Sequence, residues 1–129
     1  MYPNAAESSA MPSKLSISAI FAALSVALPV WAESNVVTSQ TDFVKLVSGK
    51  TLTRPLVRIE VRPDGSIAGK GAAWDVTGTW KWQGSYFCRD LYWGGDALGY
   101  NCQEVRVEPG RIRFTSDKGQ GDSAAFRLN

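Results

Sequence analysis

The chain contains no histidine. That absence removes the commonest general base, the usual partner of a serine or cysteine nucleophile and the commonest metal ligand together. Cysteine occurs only at Cys88 and Cys102, without the close spacing of a redox motif or the further ligands of a zinc site. Charge of one sign is not in excess either: 14 Lys and Arg stand against 12 Asp and Glu, a formal net charge of +2. That balance excludes a strongly basic nucleic-acid binder and an acidic solvating tail. Phosphate-binding glycine motifs are missing. Gly69-Lys70-Gly71 lacks the third glycine and the helix of a dinucleotide fingerprint, and no Gly-Lys-Ser/Thr loop occurs. The loop from Ser116 to Asp122 lacks the alternating acids and late Glu of a calcium loop and reads as an ordinary hairpin connection. No cofactor and no metal are therefore expected.

What is present is a core. Hydrophobic residues make up 44% and aromatics 11% of 129 residues, enough for one packed domain and too apolar for a disordered chain. Residues 15–30 are apolar, follow Lys14 and end at Val30-Trp31-Ala32, the pattern of a secretory signal peptide cleaved after residue 32. Met11 is the better start, because residues 1–10 carry no positive charge. The run is shorter than the roughly 20 residues that span a bilayer core, and Pro29 interrupts its end, so no membrane span is expected after processing. A single domain over 33–129, periplasmic or secreted, is the expectation.

An exported domain this small is marginal on its core alone, and a Cys88–Cys102 disulfide is the expected staple. The midpoint of the pair is residue 95, inside Trp93-Gly94-Gly95-Asp96-Ala97, a turn signal between two aromatic-rich runs. A hairpin turning there sets Cys88 opposite Cys102, Arg89 opposite Asn101 and Asp90 opposite Tyr100. Closing that loop contributes on the order of 3 kcal/mol.

Elsewhere the period tells helix from strand. Thr41 is placed to cap a short helix with Phe43, Val44, Leu46 and Val47 as its apolar stripe and Gly49 as its stop. Beyond it, alternation marks strands over 56–61, 66–71, 78–83, 86–93, 98–107, 111–116 and 123–128, separated by turns such as Arg62-Pro63-Asp64-Gly65. The fold class is mainly all-β: an antiparallel meander of about seven strands forming a small barrel or curved sheet, with one N-terminal helix plugging an end or covering an edge.

Eight of the eleven aromatics after residue 32 lie between Trp74 and Tyr100. Large rings are efficient core for a short chain. Alternation nevertheless puts Arg89, Asn101 and Gln103 on the same hairpin face as Phe87, Leu91, Trp93, Val105 and Val107. If that face points inward, the polar groups either satisfy one another or line a ligand cavity. Trp80, Trp82, Arg89, Trp93 and Asn101 are the candidate lining. The opposite face carries Tyr86, Tyr92 and Tyr100 with the disulfide, a candidate protein-contact patch. A bulge midway would exchange the two assignments.

Gly78-Thr79-Trp80 resembles the Gly-x-Trp signature of lipocalin-like barrels, which implies a Trp closing one barrel end and a late Arg, here Arg127, packed over it. Together with Tyr86-Phe87-Cys88-Arg89, Phe114-Thr115-Ser116-Asp117 and Gly121-Asp122-Ser123-Ala124, the same run is similar to a group of small exported bacterial proteins of unknown function. Some of that group carry the name dihydrodipicolinate reductase. Enzymes of that name have a Rossmann domain with a Gly-x-Gly-x-x-Gly loop and a site with histidine and lysine, none of which can be placed on this chain. The leading expectation is an exported module that binds a small apolar or amphiphilic ligand or an envelope protein. The alternatives are an interaction or inhibitor module using the tyrosine face, and an enzyme, for which Asp90, Asp117, Lys118 and Asp122 are the acid-base groups at hand but no base and nucleophile pair is visible. Oligomeric state has no signal in the sequence.

Overall fold

The computed structural model describes residues 34–129; the expected export signal at 1–32 lies outside the described residues. The order is β1 (Asn35–Val37), α1 (Gln40–Val47), β2 (Leu52–Arg54), β3 (Val57–Val61), β4 (Ser66–Gly71), β5 (Trp74–Gln83), β6 (Tyr86–Trp93), β7 (Asp96–Glu108), β8 (Arg111–Thr115), the short turn α2 (Ser116–Gly119) and β9 (Ser123–Leu128). Neighbours run β7-β6-β5-β4-β3-β2-β9-β8, and β8 pairs back onto β7, so the antiparallel sheet closes into an eight-stranded barrel. Closure covers the edges over part of the wall, while residues 96–103 of β7 and 123–126 of β9 are paired on one side only. The remaining strand, β1, lies against Val105–Val107, past the point where β6 stops pairing with β7 at Phe87 and Gln103.

Three sequence readings are corrected. Strands number nine among the described residues, because β1 and β2 are three residues each, too short for a period of two to register. The β5 strand starts at Trp74 rather than residue 78. Helix α1 is capped by Ser39, whose Oγ accepts from the Asp42 backbone N–H at 3.2 Å, rather than by Thr41. Ser39 has the extended backbone of a cap, while Thr41 is already inside the first turn.

The cystine hairpin has the expected register: Cys88 faces Cys102, Arg89 faces Asn101 and Asp90 faces Tyr100, with Cys88 and Cys102 bonded. The expected bulge sits higher, where the register shifts between Leu91 and Tyr92 and leaves Leu98 outside the ladder. It therefore does not exchange the faces below it, and Phe87, Arg89, Leu91, Gln103 and Val105 all belong to the interior face.

Close approach of the walls depends on glycine. A Cβ on Gly78 would fall on the Asp90 carbonyl, and one on Gly69 would fall on the Arg58 carbonyl. Only a residue without a side chain permits β4 and β5 to lie so near β3 and β6.

The core is concentrated at one end. Phe43 of α1 is completely buried, its ring 5.2 Å from Trp80, 5.2 Å from Trp82, 5.0 Å from Phe87 and 6.4 Å from Phe114. The helix is thus a plug that drives one aromatic ring into the barrel. Val47, Leu52, Val105 and Ile112 complete that layer. Each such side chain contributes roughly 1.5–3 kcal/mol on burial, which gives this end most of the apolar stabilisation.

Candidate functional site

Opposite the plug the barrel is not filled. Between the Phe87 and Phe114 rings and the mouth lies a cavity of about 360 Å³, with Ile59, Val61, Leu91 and Phe126 as apolar wall and Arg54, Arg89, Gln103, Ser116, Asp122 and Ser123 as polar residues. That volume sits at the small end of the roughly 300–1,000 Å³ typical of ligand pockets. An eight-stranded barrel is just wide enough for side chains to fill it or for one small ligand to replace them.

Arg89 is the unusual member. Its Nη1 donates to the Gly99 carbonyl at 2.7 Å, while its Nε is buried with no partner. Burial pushes the guanidinium pKa down from its ordinary value, and the Asp90 carboxylate opposes that shift. An arginine keeps its charge under such a push, so a cation stands in an apolar wall with one N–H unanswered. Gln103 is 8% exposed and donates from Nε2 to Ser116 Oγ at 3.3 Å. Arg54, at the rim, holds its guanidinium 5.7 Å from the centre of the Phe126 ring.

Of the five residues expected to line a cavity, Arg89 alone does so. Trp80 and Trp82 share its face but lie at the plugged end. Trp80 packs edge-on to Phe43 and donates its indole N–H to the Arg62 carbonyl at 2.8 Å. Trp82 stacks on the same ring with its indole nitrogen buried and unpartnered. Trp93 is on the rim, perpendicular to Trp74 at 5.7 Å and donating to the Gly71 carbonyl at 2.9 Å. Asn101 has a positioning part: its Nδ2 donates to Asp117 Oδ1 at 2.7 Å and its Oδ1 accepts from the Asp117 backbone N–H at 3.0 Å. It thereby secures the α2 turn, where Asp117 and Lys118 have left-handed φ of 54° and 55°, a region Asp tolerates better than most side chains. Arg127 does not cover Trp80. It alternates with inward Phe126 and Leu128 and is exposed on the outer face.

Arg54, Gln103, Ser116, Asp122 and Ser123 are the polar lining that the expected set left out. The parity that placed Gln103 beside Arg89 was the available signal, whereas Arg54 sits on a strand too short to read. The tyrosines are on the outer face as expected. Tyr100 is 53% exposed and donates to Gln83 Oε1 at 3.1 Å; Lys118 Nζ lies 5.4 Å from the Tyr86 ring centre. Leu56, Trp74, Trp93 and Leu98 add exposed apolar surface.

Fold and cavity together define a class: a small disulfide-locked antiparallel barrel, closed by a helical plug at one end and open to a partly polar cavity at the other. No known family, no curated protein and no solved structure matches the chain, so any function is argued from this geometry. Among the described residues no helix is long and apolar enough to cross a membrane, and the disulfide is compatible with a periplasmic or extracellular setting.

Proposed function

We propose that this is an exported binding module whose cavity takes one small amphiphilic molecule, apolar body against Ile59, Leu91 and Phe126 and polar end on Arg89. The observation that carries the reading is that Arg89, a half-buried cation with one hydrogen bond to the Gly99 carbonyl, lines an unfilled cavity with an apolar wall. A guanidinium carries five N–H donors, and an anionic or acceptor group on a bound molecule would meet those that the Gly99 carbonyl leaves free. Gln103 offers a second polar contact deeper in the wall, and Arg54 covers the rim. The binding step needs no covalent chemistry.

The test is titration of the folded chain with an anilinonaphthalene sulfonate dye, an anionic amphiphile, followed by displacement with decanoate. Saturable one-site binding that weakens at least tenfold in Arg89→Met, with the far-ultraviolet spectrum unchanged, is the expected result. Equal affinity in the variant, or dye uptake that never saturates, overturns the reading. A protein-contact reading rests on the exposed tyrosine face, and a partner retained from an envelope extract and lost in Tyr100→Ala would favour it.

A further inference from the structure

The outer face of β8, β9, β2, β3 and β4 carries a second constellation, which shares only Arg54 with the cavity. One rung of the sheet runs across five strands as Arg111, Arg127, Thr53, Arg58 and Lys70 in consecutive register. Arg111 and Arg127 are directly opposite one another, and like charges so placed repel. Two rungs away the same sheet solves the same problem differently. Arg106 faces Arg113 across β7 and β8, and there each guanidinium has its own carboxylate: Arg106 holds Glu104 at 2.7 Å and Arg113 holds Glu108 at 2.7 Å. Glu108 is also the cross-strand neighbour of Arg111, yet its carboxylate is spent on Arg113. Lys70 is neutralised by Asp75. Among the described residues the ion pairs leave Arg54, Arg58, Arg111 and Arg127 without a carboxylate.

Shape agrees with charge. Ala125 leaves a depression of about 400 Å³ in this face, bordered by Arg54, Arg111, Arg127, Thr53 and Pro55, with no acidic residue in its lining. We infer that this groove is an anion site for a phosphoryl group, with Arg111 and Arg127 as its paired forks and Arg54 closing the upper side. A phosphoryl dianion offers three acceptor oxygens and enough charge to offset the repulsion of an opposed arginine pair, and planar guanidinium forks match it bidentately. A carboxylate carries half that charge and leaves one fork unused. The groove takes one such group, from a free phosphate monoester or from a phosphomonoester lipid headgroup, consistent with a net charge too small for nucleic acid.

The test follows arginine Nε–Hε signals of the full chain during titration with inorganic phosphate at constant ionic strength, with chloride as the control. Saturable shifts at Arg111, Arg127 and Arg54, absent at Arg106 and Arg113 and lost in Arg111→Gln/Arg127→Gln, support the site. Single Arg127→Gln is expected to raise the melting temperature in chloride and to abolish the further rise that phosphate gives the parent chain. Shifts that are linear in phosphate, or equal at Arg106 and Arg113, mean charge screening only and overturn it. So does undiminished phosphate binding in the double variant. Sedimentation with vesicles containing phosphatidic acid, compared with phosphatidylcholine vesicles, then separates the sources. Retention lost in the double variant assigns a headgroup, and phosphate shifts without retention assign a soluble ester.

Discussion

The two ends of the barrel are built from the same strands and solve opposite problems. At the plugged end the inward Trp80, Trp82, Phe87 and Phe114 surround one more ring, Phe43, which a helix is added to supply. Toward the mouth the inward positions of the same strands are Arg89, Gln103, Ile59 and Leu91, and they enclose space. The contrast teaches that the vacancy is not a shortage of large side chains. The chain has exposed Trp74 and Trp93 packed on each other at the rim, and neither lines the cavity.

The comparison is broken most severely at the plug. Phe43→Ala removes a fully buried ring from four aromatic contacts and should cost about 3–5 kcal/mol, read as a lower urea midpoint at unchanged slope. Cys88→Ser/Cys102→Ser opens the hairpin that carries Arg89 and should cost about 3 kcal/mol, visible in the same unfolding curve. Trp80→Phe keeps the ring packing but removes one of the two donors to the Arg62 carbonyl, which retains the Gly65 N–H, for about 1 kcal/mol or less. At the open end Arg89→Met should move stability by less than about 1 kcal/mol, because relief of the guanidinium's desolvation offsets its one hydrogen bond to Gly99. A loss as large as that at Phe43 would erase the distinction between the ends. The smallest effect belongs to the turn between β3 and β4. There the Ser66 hydroxyl and backbone N–H both donate to Asp64 and hold its pKa below the usual carboxylate value. A depressed carboxylate stabilises above its unfolded pKa, and the contribution disappears as pH falls through the folded one. Asp64→Asn should therefore lower stability slightly at neutral pH, where the contribution is present, and converge with the parent chain as pH falls, flattening the acid side of the profile.

The fold was legible wherever side chains alternate over five or more residues. The register of Cys88 with Cys102 and of Arg89 with Asn101 followed from two cysteines symmetric about Gly95, because an antiparallel ladder conserves the sum of paired numbers until a bulge breaks it. That break, at Leu98, came after the residues that matter. Closure was not legible, since it depends on β2, three residues that bridge β3 to β9. Within the site, parity identified the inward face but said nothing of depth. Trp80, Trp82 and Arg89 share a face, and only the position of the α1 plug decides that the first two are buried floor and the third is cavity wall. Asn101 shows the same limit: correctly placed beside Arg89, its amide is drawn upward by the left-handed Asp117 and spent on the α2 turn.

The central claim is that the guanidinium of Arg89 faces an unfilled pocket that accepts a ligand. The most direct measurement is the Arg89 Nε–Hε resonance during a decanoate titration. A shift that saturates at one equivalent, with the Phe43 ring signals unmoved, is the predicted result; a resonance that stays fixed while the Phe43 signals move would contradict it.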